Sequence, residues 1–344
     1  MIKSKKQKIN IKKVEILLAC FISILFCLSI FGCSNQVEQE RTEEILGTII
    51  SGKVITSQGA EPLKKAFERA KELELIFSVN EKKSELSKVN ETAWKEPVEV
   101  SEELFYVVKK GLEYGEKTNG ALDITIGKLI DLWGIGTDHA KVPKKKEILP
   151  YAGMEGYKKV ILDEEKQTIQ FLDSKIQLNL GAIAKGYIAD EMKQVLIEEF
   201  GIKHGMLSLG GNIVVIGEKK NGGKWKVGIA NPLQPQEIAA ILELDDMSLV
   251  TSGNYERYFE ENGVRYHHIL DPKTGYPAEN GWISTSILSK ESIDGDALST
   301  ATYILGEDAV DVIEEMENCE AVFIKEDGER VCTGGVSEYG YVER

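Results

Sequence analysis

The chain has 344 residues, of which 42% are hydrophobic and 28% charged, a composition typical of a globular protein. Its formal net charge is −14. Such an acidic chain lacks the basic footprint with which proteins bind nucleic acid, so nucleic acid is excluded as a partner. The length allows one large domain or two small ones, and a chain of this size needs no disulfide framework for stability.

The first 32 residues differ in composition from the rest of the chain. Six lysines precede residues 16–31, which carry no charge, and the sequence Ile-Phe-Gly-Cys ends this apolar run at Cys33. This layout is typical of a secretory signal peptide. The small residue before Cys33 favours a lipobox, in which residues 1–32 are removed and Cys33 is lipidated. The alternative is a single membrane anchor, because residues 16–37 contain no charge.

Either interpretation ties the body of the protein to a membrane, on its extracytoplasmic face. Removal of residues 1–32 would leave 36 basic and 55 acidic residues, a net charge of −19. That balance argues against attraction to an anionic lipid surface. An anionic ligand would therefore need a local cationic site or a metal ion to bind.

Residues 33–45 are polar and lack apolar periodicity, so we expect a tether there. Apolar residues at helical spacing predict a helix at 61–76, and Ser101 followed by acidic residues predicts one at 101–118. Further helices are expected at 182–200, which is rich in alanine and long side chains, and at 295–318. Alternation and turn residues predict strands or hairpins at 47–56, 158–172, 204–219, 224–232, 238–253, 282–289 and 320–334.

Helices and hairpins are mixed without a regular alternation of strand, helix and strand. This order predicts an α+β fold with largely antiparallel sheets and packed helices. We find no internal repeat, and no linker rich in proline or glycine divides residues 46–340. The sequence therefore predicts one domain over 46–340.

The stretch NLGAIAKGYIAD, residues 179–190, places Gly181 before a helix expected to begin near Ala182. The first amides of a helix lack partners within the helix and suit an anion. Lys185 lies one turn into this helix, where it could reach a phosphate group. The alternative is an ordinary junction between a loop and a helix, with a solvated lysine.

The stretch GDALSTATYILG, residues 295–306, places Asp296 and Thr300 four residues apart at the expected start of the last helix. Residues four apart share one helix face. A carboxylate and a hydroxyl are hard oxygen donors of the kind that Mg²⁺ prefers. The alternative is an aspartate favoured by the helix dipole, with Thr300 merely packed.

Three further features leave alternatives open. The pair Gly210-Gly211 allows a β-bulge or a close approach of the backbone to a ligand. One histidine of the His267-His268 pair, near Asp271, is a candidate general base, or both rings are satisfied by backbone carbonyls. Two cysteines of the mature chain either form a disulfide or act as small hydrophobic residues; these are Cys319 and Cys332.

In their order along the chain, these stretches resemble the FAD:protein FMN transferase family, the ApbE lipoproteins, over roughly residues 45–335. GALDITIG is similar to the family segment GAFDPTVG, and NLGAIAKGYIAD is similar to DLGGIAKGYAVD. SLGGN, TSGNYERYF, HHILDPKTGYP and GDALSTATYILG follow in the family's order. The resemblance implies an ApbE-like fold, with a flavin cleft between two lobes of one domain.

The resemblance also implies the site. Mg²⁺ would be held by the carbonyl of Ala182 and the side chains of Asp296 and Thr300. FAD would be contacted by Asn80, Ala121, Leu122, Asp123, Asn179, Lys185, His268 and Ile269. Asp296 and His268 would be the catalytic residues, with His268 as the general base.

The implied reaction is attack by a threonine or serine hydroxyl of another protein on the FMN phosphorus of FAD, with release of AMP. Implied acceptors are flavoproteins of membrane or extracytoplasmic electron transport, such as subunits of sodium-pumping NADH:quinone reductases or Rnf-type complexes.

Three residues depart from the family pattern. Leu122 replaces phenylalanine, Asn179 replaces aspartate, and Asn80 stands where many members have tyrosine. A smaller residue at position 80 could admit water, which raises an alternative function, a Mg²⁺-dependent FAD pyrophosphatase that gives FMN and AMP. A flavin-binding lipoprotein without turnover is a further alternative.

Overall fold

A computed structural model describes residues 36–234 and 236–344 of the chain. The expected signal peptide and the lipidation site at Cys33 lie outside these residues. Among the helices of the described part, none combines the length and the apolar character needed to cross a bilayer.

The described residues form sixteen strands and eight α-helices. The strands are β1 (Val37–Ile45), β2 (Thr48–Thr56), β3 (Val98–Glu99), β4 (Val160–Asp163), β5 (Thr168–Phe171), β6 (Gly205–Leu209), β7 (Asn212–Ile216), β8 (Trp225–Ala230), β9 (Ile238–Leu244), β10 (Ser248–Gly253), β11 (Tyr258–Glu261), β12 (Val264–His267), β13 (Trp282–Ser289), β14 (Cys319–Lys325), β15 (Arg330–Cys332) and β16 (Val342–Glu343). The helices are α1 (Glu61–Phe77), α2 (Glu85–Thr92), α3 (Glu102–Lys117), α4 (Gly127–Trp133), α5 (Lys145–Ile148), α6 (Ala184–Glu198), α7 (Ser292–Leu305) and α8 (Ala309–Glu314).

The centre of the fold is an eight-stranded sheet in the order β1-β2-β6-β7-β10-β13-β14-β15, with every neighbouring pair antiparallel. Three smaller sheets have the orders β3-β5-β4, β16-β9-β8 and β11-β12. The expected α+β class with largely antiparallel sheets is therefore confirmed.

Apolar residues on the two faces of the main sheet belong to two different clusters. On one face the sheet packs against the apolar sides of α1, α6 and α7, and on the other against β8 and β9. Strand β13 lies between the two clusters, and all eight of its residues are buried. This two-sided burial fixes the sheet as a platform for α6 and α7, the helices that carry the candidate site.

The expected tether over 33–45 is wrong for most of its length. Residues Val37–Ile45 form β1, which pairs with β2 along its whole length, from Val37 opposite Thr56 to Ile45 opposite Thr48. The strand forms the edge of the sheet, where charged side chains are common because they discourage pairing with other chains. Its polar composition hides its strand character, and residues 37–45 belong to the main sheet.

The expected helix over 295–318 also differs from the structure. Helix α7 begins at Ser292 and ends at Leu305, where Gly306 adopts a φ of +68°. A short 3₁₀ turn and α8 follow. Asp296 is therefore in the second turn of α7 and cannot be its cap.

The glycine pair Gly210-Gly211 does not form the β-bulge that we considered. It is the two-residue turn of the β6–β7 hairpin, with Leu209 opposite Asn212 and φ values of +53° and +99°. Positive φ at both central residues is the requirement of a type I′ turn, which explains two glycines in succession.

The two cysteines of the described residues are both free. In the β14–β15 ladder Cys332 lies opposite Val322, three residues along the strand from Cys319. Three residues of strand span about 10 Å, more than the roughly 7 Å between Cα atoms that a disulfide tolerates. They act as small, partly or fully buried hydrophobic residues.

Helices α6 and α7 approach each other so closely that position 186 of α6 has no room for a side chain. A Cβ on Gly186 would collide with the carbonyl oxygen of Ser292 and lie 2.6 Å from the Cα of Ile293. The approach brings the first turn of α6 against the first two turns of α7.

We expect Gly186→Ala to lower the free energy of unfolding, because the methyl group forces the two backbones apart. Overpacking of this kind costs about 1–3 kcal/mol, and the better helix propensity of alanine returns only about 1 kcal/mol. Chemical denaturation measures the change. The control is Gly334→Ala, where a Cβ would meet no atom within 4 Å; equal stability of the two variants would contradict the close contact.

Candidate active site

The Asp296 carboxylate joins α7 to the start of α6. Its side chain is almost fully buried, with 2% of the residue exposed. Oδ1 lies 2.7 Å from the ammonium of Lys185, and Oδ2 accepts the backbone N–H of Gly186 at 2.9 Å. A buried carboxylate needs such compensation, because an uncompensated buried charge is strongly destabilising.

This contact completes the hydrogen bonding of the first turn of α6. The helix begins at Ala184, so Gly186 is one of its opening residues, whose N–H groups have no acceptor within the helix. Asp296 supplies the acceptor for the Gly186 N–H. Ala182 lies just before the helix, and its carbonyl is the backbone oxygen that the family resemblance implies as a metal ligand.

The turn that leads into α6 is closed by Asn179. Its Oδ1 accepts the N–H of Gly181 at 2.9 Å, and the ammonium of Lys185 lies 3.4 Å from the Gly181 carbonyl. The helix begins at Ala184, two residues later than expected. Because the bond at Asn179 needs only an oxygen acceptor, the amide in place of the family's aspartate keeps this turn while removing one negative charge.

The stretch around Asp123 lies beside Asn179, since the N–H of Asn179 donates to the carbonyl of Ile124 at 2.8 Å. Its side chains, however, face the protein interior. Ala121 and Leu122 are each 2% exposed. Their expected contact with FAD stays a prediction.

The Asp123 carboxylate also has a local structural partner. It accepts the N–H of Thr125 at 2.9 Å and its hydroxyl at 2.5 Å. Burial raises the pKa of Asp123 above its usual value. The Asp123 side chain thus closes the turn with Thr125. Its expected contact with FAD stays a prediction.

The His268 ring faces the same region as Lys185. Its Nδ1 lies 3.2 Å from the carbonyl of Arg257, which can only accept, so Nδ1 carries the proton and donates. The lone pair of Nε2 is then free to accept a proton. Burial, together with the charges of Arg257 and Lys185, lowers the pKa of His268 to about 4, so the ring is neutral at physiological pH.

The expected pairing of a histidine with Asp271 is not formed. The Asp271 carboxylate accepts the N–H of Lys273 at 2.8 Å within its own turn. His267, 5% exposed, points its Nε2 at the carbonyl of Ala278, 3.0 Å away. Both histidines thus bond backbone carbonyls, as the open alternative predicted, and only His268 lies near the charges of the site.

Glu256 is a site residue for which we predicted no role. Its carboxylate lies against the Gly210-Gly211 turn and feels the charges of Lys185 and Asp296. Glu256 is exposed to solvent on one side, and the protein atoms packed around its carboxylate raise its pKa above the usual value. It belongs to the stretch TSGNYERYF, which the resemblance marked only as a segment.

Thr300, Ile269 and Asn80 are the other residues expected in the site. Thr300 is partly buried one turn after Asp296, and Ile269 is 3% exposed in the core. Asn80 is exposed in the turn after α1. Among the described residues no group of three or more acidic, histidine or cysteine side chains is arranged to hold a metal ion, so a metal here would depend on one carboxylate with a carbonyl, a hydroxyl, water and substrate.

We expect the ring signals of His267 and His268 to stay at the chemical shifts of neutral imidazole at pH 6, because burial lowers both pKa values to about 4. A histidine with the ordinary pKa of about 6.5 would be mostly protonated at that pH. NMR titration measures the shifts, with His268→Gln to assign one signal. Titration of that signal near pH 6.5 would contradict the buried, neutral ring.

The fold and the order of the motifs agree with comparisons to known proteins. The sequence model of the ApbE family matches residues 46–323. The chain is 33% identical over 339 residues to the FAD:protein FMN transferase of Treponema pallidum, covering 92% of this chain and 93% of that protein. It is 34% identical over 262 residues to a Klebsiella pneumoniae protein of the same name, covering 76% and 81%.

Solved structures give the same result. The ApbE protein of Thermotoga maritima superposes with a TM-score of 0.82 at 30% identity, over 90% of this chain and 100% of that one. The flavin transferase ApbE from Vibrio cholerae superposes with a TM-score of 0.79 at 27% identity, over 88% and 99%. The chain, by sequence and by fold, belongs to the ApbE family.

Proposed function

We propose that the protein transfers FMN from FAD to a threonine or serine hydroxyl of another protein. The hydroxyl oxygen forms a bond to the FMN phosphorus, the bond from that phosphorus to the bridging oxygen of the pyrophosphate breaks, and AMP leaves. The hydroxyl proton passes to a base of the enzyme. The similarity to relatives named FAD:protein FMN transferase supports the substrate and the reaction.

The observation that carries the proposal is the junction of Asp296 with Lys185 and the Gly186 amide. A buried carboxylate, a lysine ammonium and the amino end of a 15-residue helix converge there. Transfer of a phosphoryl group is catalysed mainly by positioning and by electrostatic stabilisation of its oxygens. Lys185 and the positive end of the α6 dipole supply positive charge for that purpose.

We assign Mg²⁺ to this junction as a cofactor. The donors present are hard oxygens: the Asp296 carboxylate, the Ala182 carbonyl just before α6, and the Thr300 hydroxyl one turn on. Mg²⁺ usually takes one or two carboxylates and completes its shell with water and substrate phosphate, so a single carboxylate suffices. Bound there, the ion would neutralise charge on the pyrophosphate.

His268 is the base that we assign to the acceptor hydroxyl. The bond from its Nδ1 to the Arg257 carbonyl fixes the tautomer and leaves Nε2 as an acceptor. A lowered pKa keeps the ring unprotonated at physiological pH. It also makes His268 a weak base, so its part is to accept the proton as the oxygen–phosphorus bond forms.

We further propose that Cys33 carries lipid and that the body lies at the extracytoplasmic face of a membrane. Because β1 begins at Val37, four residues after Cys33, the connection spans at most about 14 Å. So short a tether limits the reach of the active site to acceptors in or at the same membrane, such as redox subunits with exposed hydroxyl side chains.

A second candidate is a Mg²⁺-dependent FAD pyrophosphatase, in which water replaces the protein hydroxyl. Asn80 favours it, because this residue is small, exposed, and stands where the family resemblance leads us to expect tyrosine. A third candidate function is flavin binding without turnover. In that case the Lys185–Asp296 junction would only bind the flavin nucleotide.

The test incubates the full-length protein in detergent with FAD and Mg²⁺, with and without a purified subunit of a sodium-pumping NADH:quinone reductase. Flavin fluorescence on the denatured subunit together with AMP supports transfer. AMP without labelled subunit supports the pyrophosphatase. Absence of AMP in both reactions overturns both enzymatic functions.

We expect Asp296→Ala to reduce AMP release at least about 100-fold, the loss typical for removal of one electrostatic contact in a transition state. The matched control is Asp294→Ala on the same helix, whose carboxylate pairs with Lys110 at 3.4 Å and lies outside the junction. Similar activity of the two variants would remove Asp296 from the mechanism.

We expect Asn80→Tyr to lower the fraction of FAD that is hydrolysed rather than transferred, because the larger ring shields the pyrophosphate from water. The ratio of AMP to labelled acceptor measures this fraction. Lys82→Tyr, at an exposed neighbouring position, is the control. An unchanged ratio would show that position 80 does not control access of water.

A further inference from the structure

A second carboxylate outside the Lys185–Asp296 junction also connects α6 to α7. It belongs to Asp190, the seventh residue of α6. Its Oδ1 accepts the N–H of Ser292 at 2.8 Å, and its Oδ2 accepts the N–H of Ile293 at 2.9 Å. These are the first two residues of α7. One carboxylate on α6 therefore satisfies two of the amides that open the neighbouring helix.

Helix α7 has no such cap of its own. The residue before it, Glu291, makes no side-chain capping bond. The first amides of a helix need an acceptor, and a side chain from the same segment usually supplies it. Here the acceptor comes from about a hundred residues earlier in the chain, so the bond fixes the position of one helix relative to another.

Two contacts tie α6 to α7 in antiparallel order. At one end Asp190 binds the amides of Ser292 and Ile293, and at the other Gly186 binds Asp296. Four residues separate the two contacts on each helix, about 6 Å. The space between them is closed by the bare backbone of Gly186 against Ser292.

The charges around Asp190 have other partners. Lys193 on α6 pairs with Asp246 at 2.9 Å, and Lys110 on α3 pairs with Asp294 at 3.4 Å. No lysine or arginine of the described residues lies within ion-pair distance of Asp190. The two amides of α7 are its bonding partners there, and the positive end of the α7 dipole faces it.

We propose that Asp190 is a positioning residue. It holds α7 in the register along α6 that aligns the Asp296 carboxylate with Lys185 and the Ala182 carbonyl. This inference rests on the proposed Mg²⁺ site at that junction. Burial raises the pKa of Asp190 to about 7, whereas the two amide bonds act in the opposite direction and favour the ionised carboxylate.

The test is Asp190→Asn in the full-length protein. Asparagine offers one acceptor oxygen for two amides and turns its NH₂ toward a donor. Residues that orient metal ligands typically change metal affinity about 10- to 100-fold when replaced. We expect the apparent KM for Mg²⁺ in FAD turnover to rise at least about tenfold, with a smaller change in kcat at saturating Mg²⁺.

A second measurement needs neither metal nor turnover. Hydrogen–deuterium exchange of the peptide spanning 288–297, without Mg²⁺ and FAD, should be faster in Asp190→Asn. The control is Glu191→Gln, the next residue on α6, whose carboxylate binds Arg69 at 2.6 Å on another face of the helix. That variant should keep the wild-type exchange at 288–297 and the wild-type KM for Mg²⁺.

The outcomes separate the two proposals. Wild-type KM for Mg²⁺ and wild-type exchange in Asp190→Asn overturn the positioning role. A lower melting temperature with an unchanged KM for Mg²⁺ also overturns it, since that is the signature of a purely structural bond. If the wild-type protein shows no Mg²⁺-dependent turnover, the proposed function fails, while the exchange experiment still tests whether Asp190 holds the start of α7.

If Asp190→Asn is insoluble, the same measurements are made on Asp190→Glu.

Discussion

The burial of one carboxylate organises the candidate site. The buried Asp296 carboxylate is compensated by an ammonium and a backbone amide, and both come from the first turn of α6. The same carboxylate gives the Gly186 N–H an acceptor, which no carbonyl within the helix supplies. The absence of a side chain at Gly186 allows the two helices to come close enough for it.

Hydroxyl groups of the main sheet hold α7 in addition to apolar packing. The Thr285 hydroxyl on β13 donates to the carbonyl of Ser299 at 2.7 Å, and the Ser252 and Ser299 hydroxyls are 2.8 Å apart. Apolar contacts tolerate sliding of a helix along a sheet, whereas directional bonds do not. Together with the cap from Asp190, these bonds set the register of Asp296.

Local patterns predicted the parts of the fold that depend on local physics. The apolar spacing around Leu63, Phe67 and Ala70 gave α1, and Ser101 caps α3 by accepting the N–H of Leu104 at 3.3 Å. The strand at β13 and the β14–β15 hairpin followed from apolar runs and turn residues. The motifs at 179–190 and 295–306 led to Lys185 and Asp296, which the structure places in contact.

Features that depend on contacts between distant segments could not be predicted from the sequence. The edge strand β1 is polar because one side meets solvent, and only its pairing with β2 shows it to be a strand. The start of α7 at Ser292 was missed because its cap, Asp190, lies on another helix. The Arg257 carbonyl that fixes the His268 ring is likewise invisible until β11 and β12 pair.

We propose above that the Lys185–Asp296 junction binds a metal ion and a phosphate group, and this can be tested directly. The most direct measurement is a crystal structure of the full-length protein with FAD and Mn²⁺ in place of Mg²⁺, located by anomalous scattering. The account predicts a manganese peak within about 2.2 Å of an Asp296 carboxylate oxygen and of the Ala182 carbonyl, beside the FAD pyrophosphate. A manganese peak elsewhere, or bound FAD with Asp296 still paired only with Lys185 and Gly186, would contradict it.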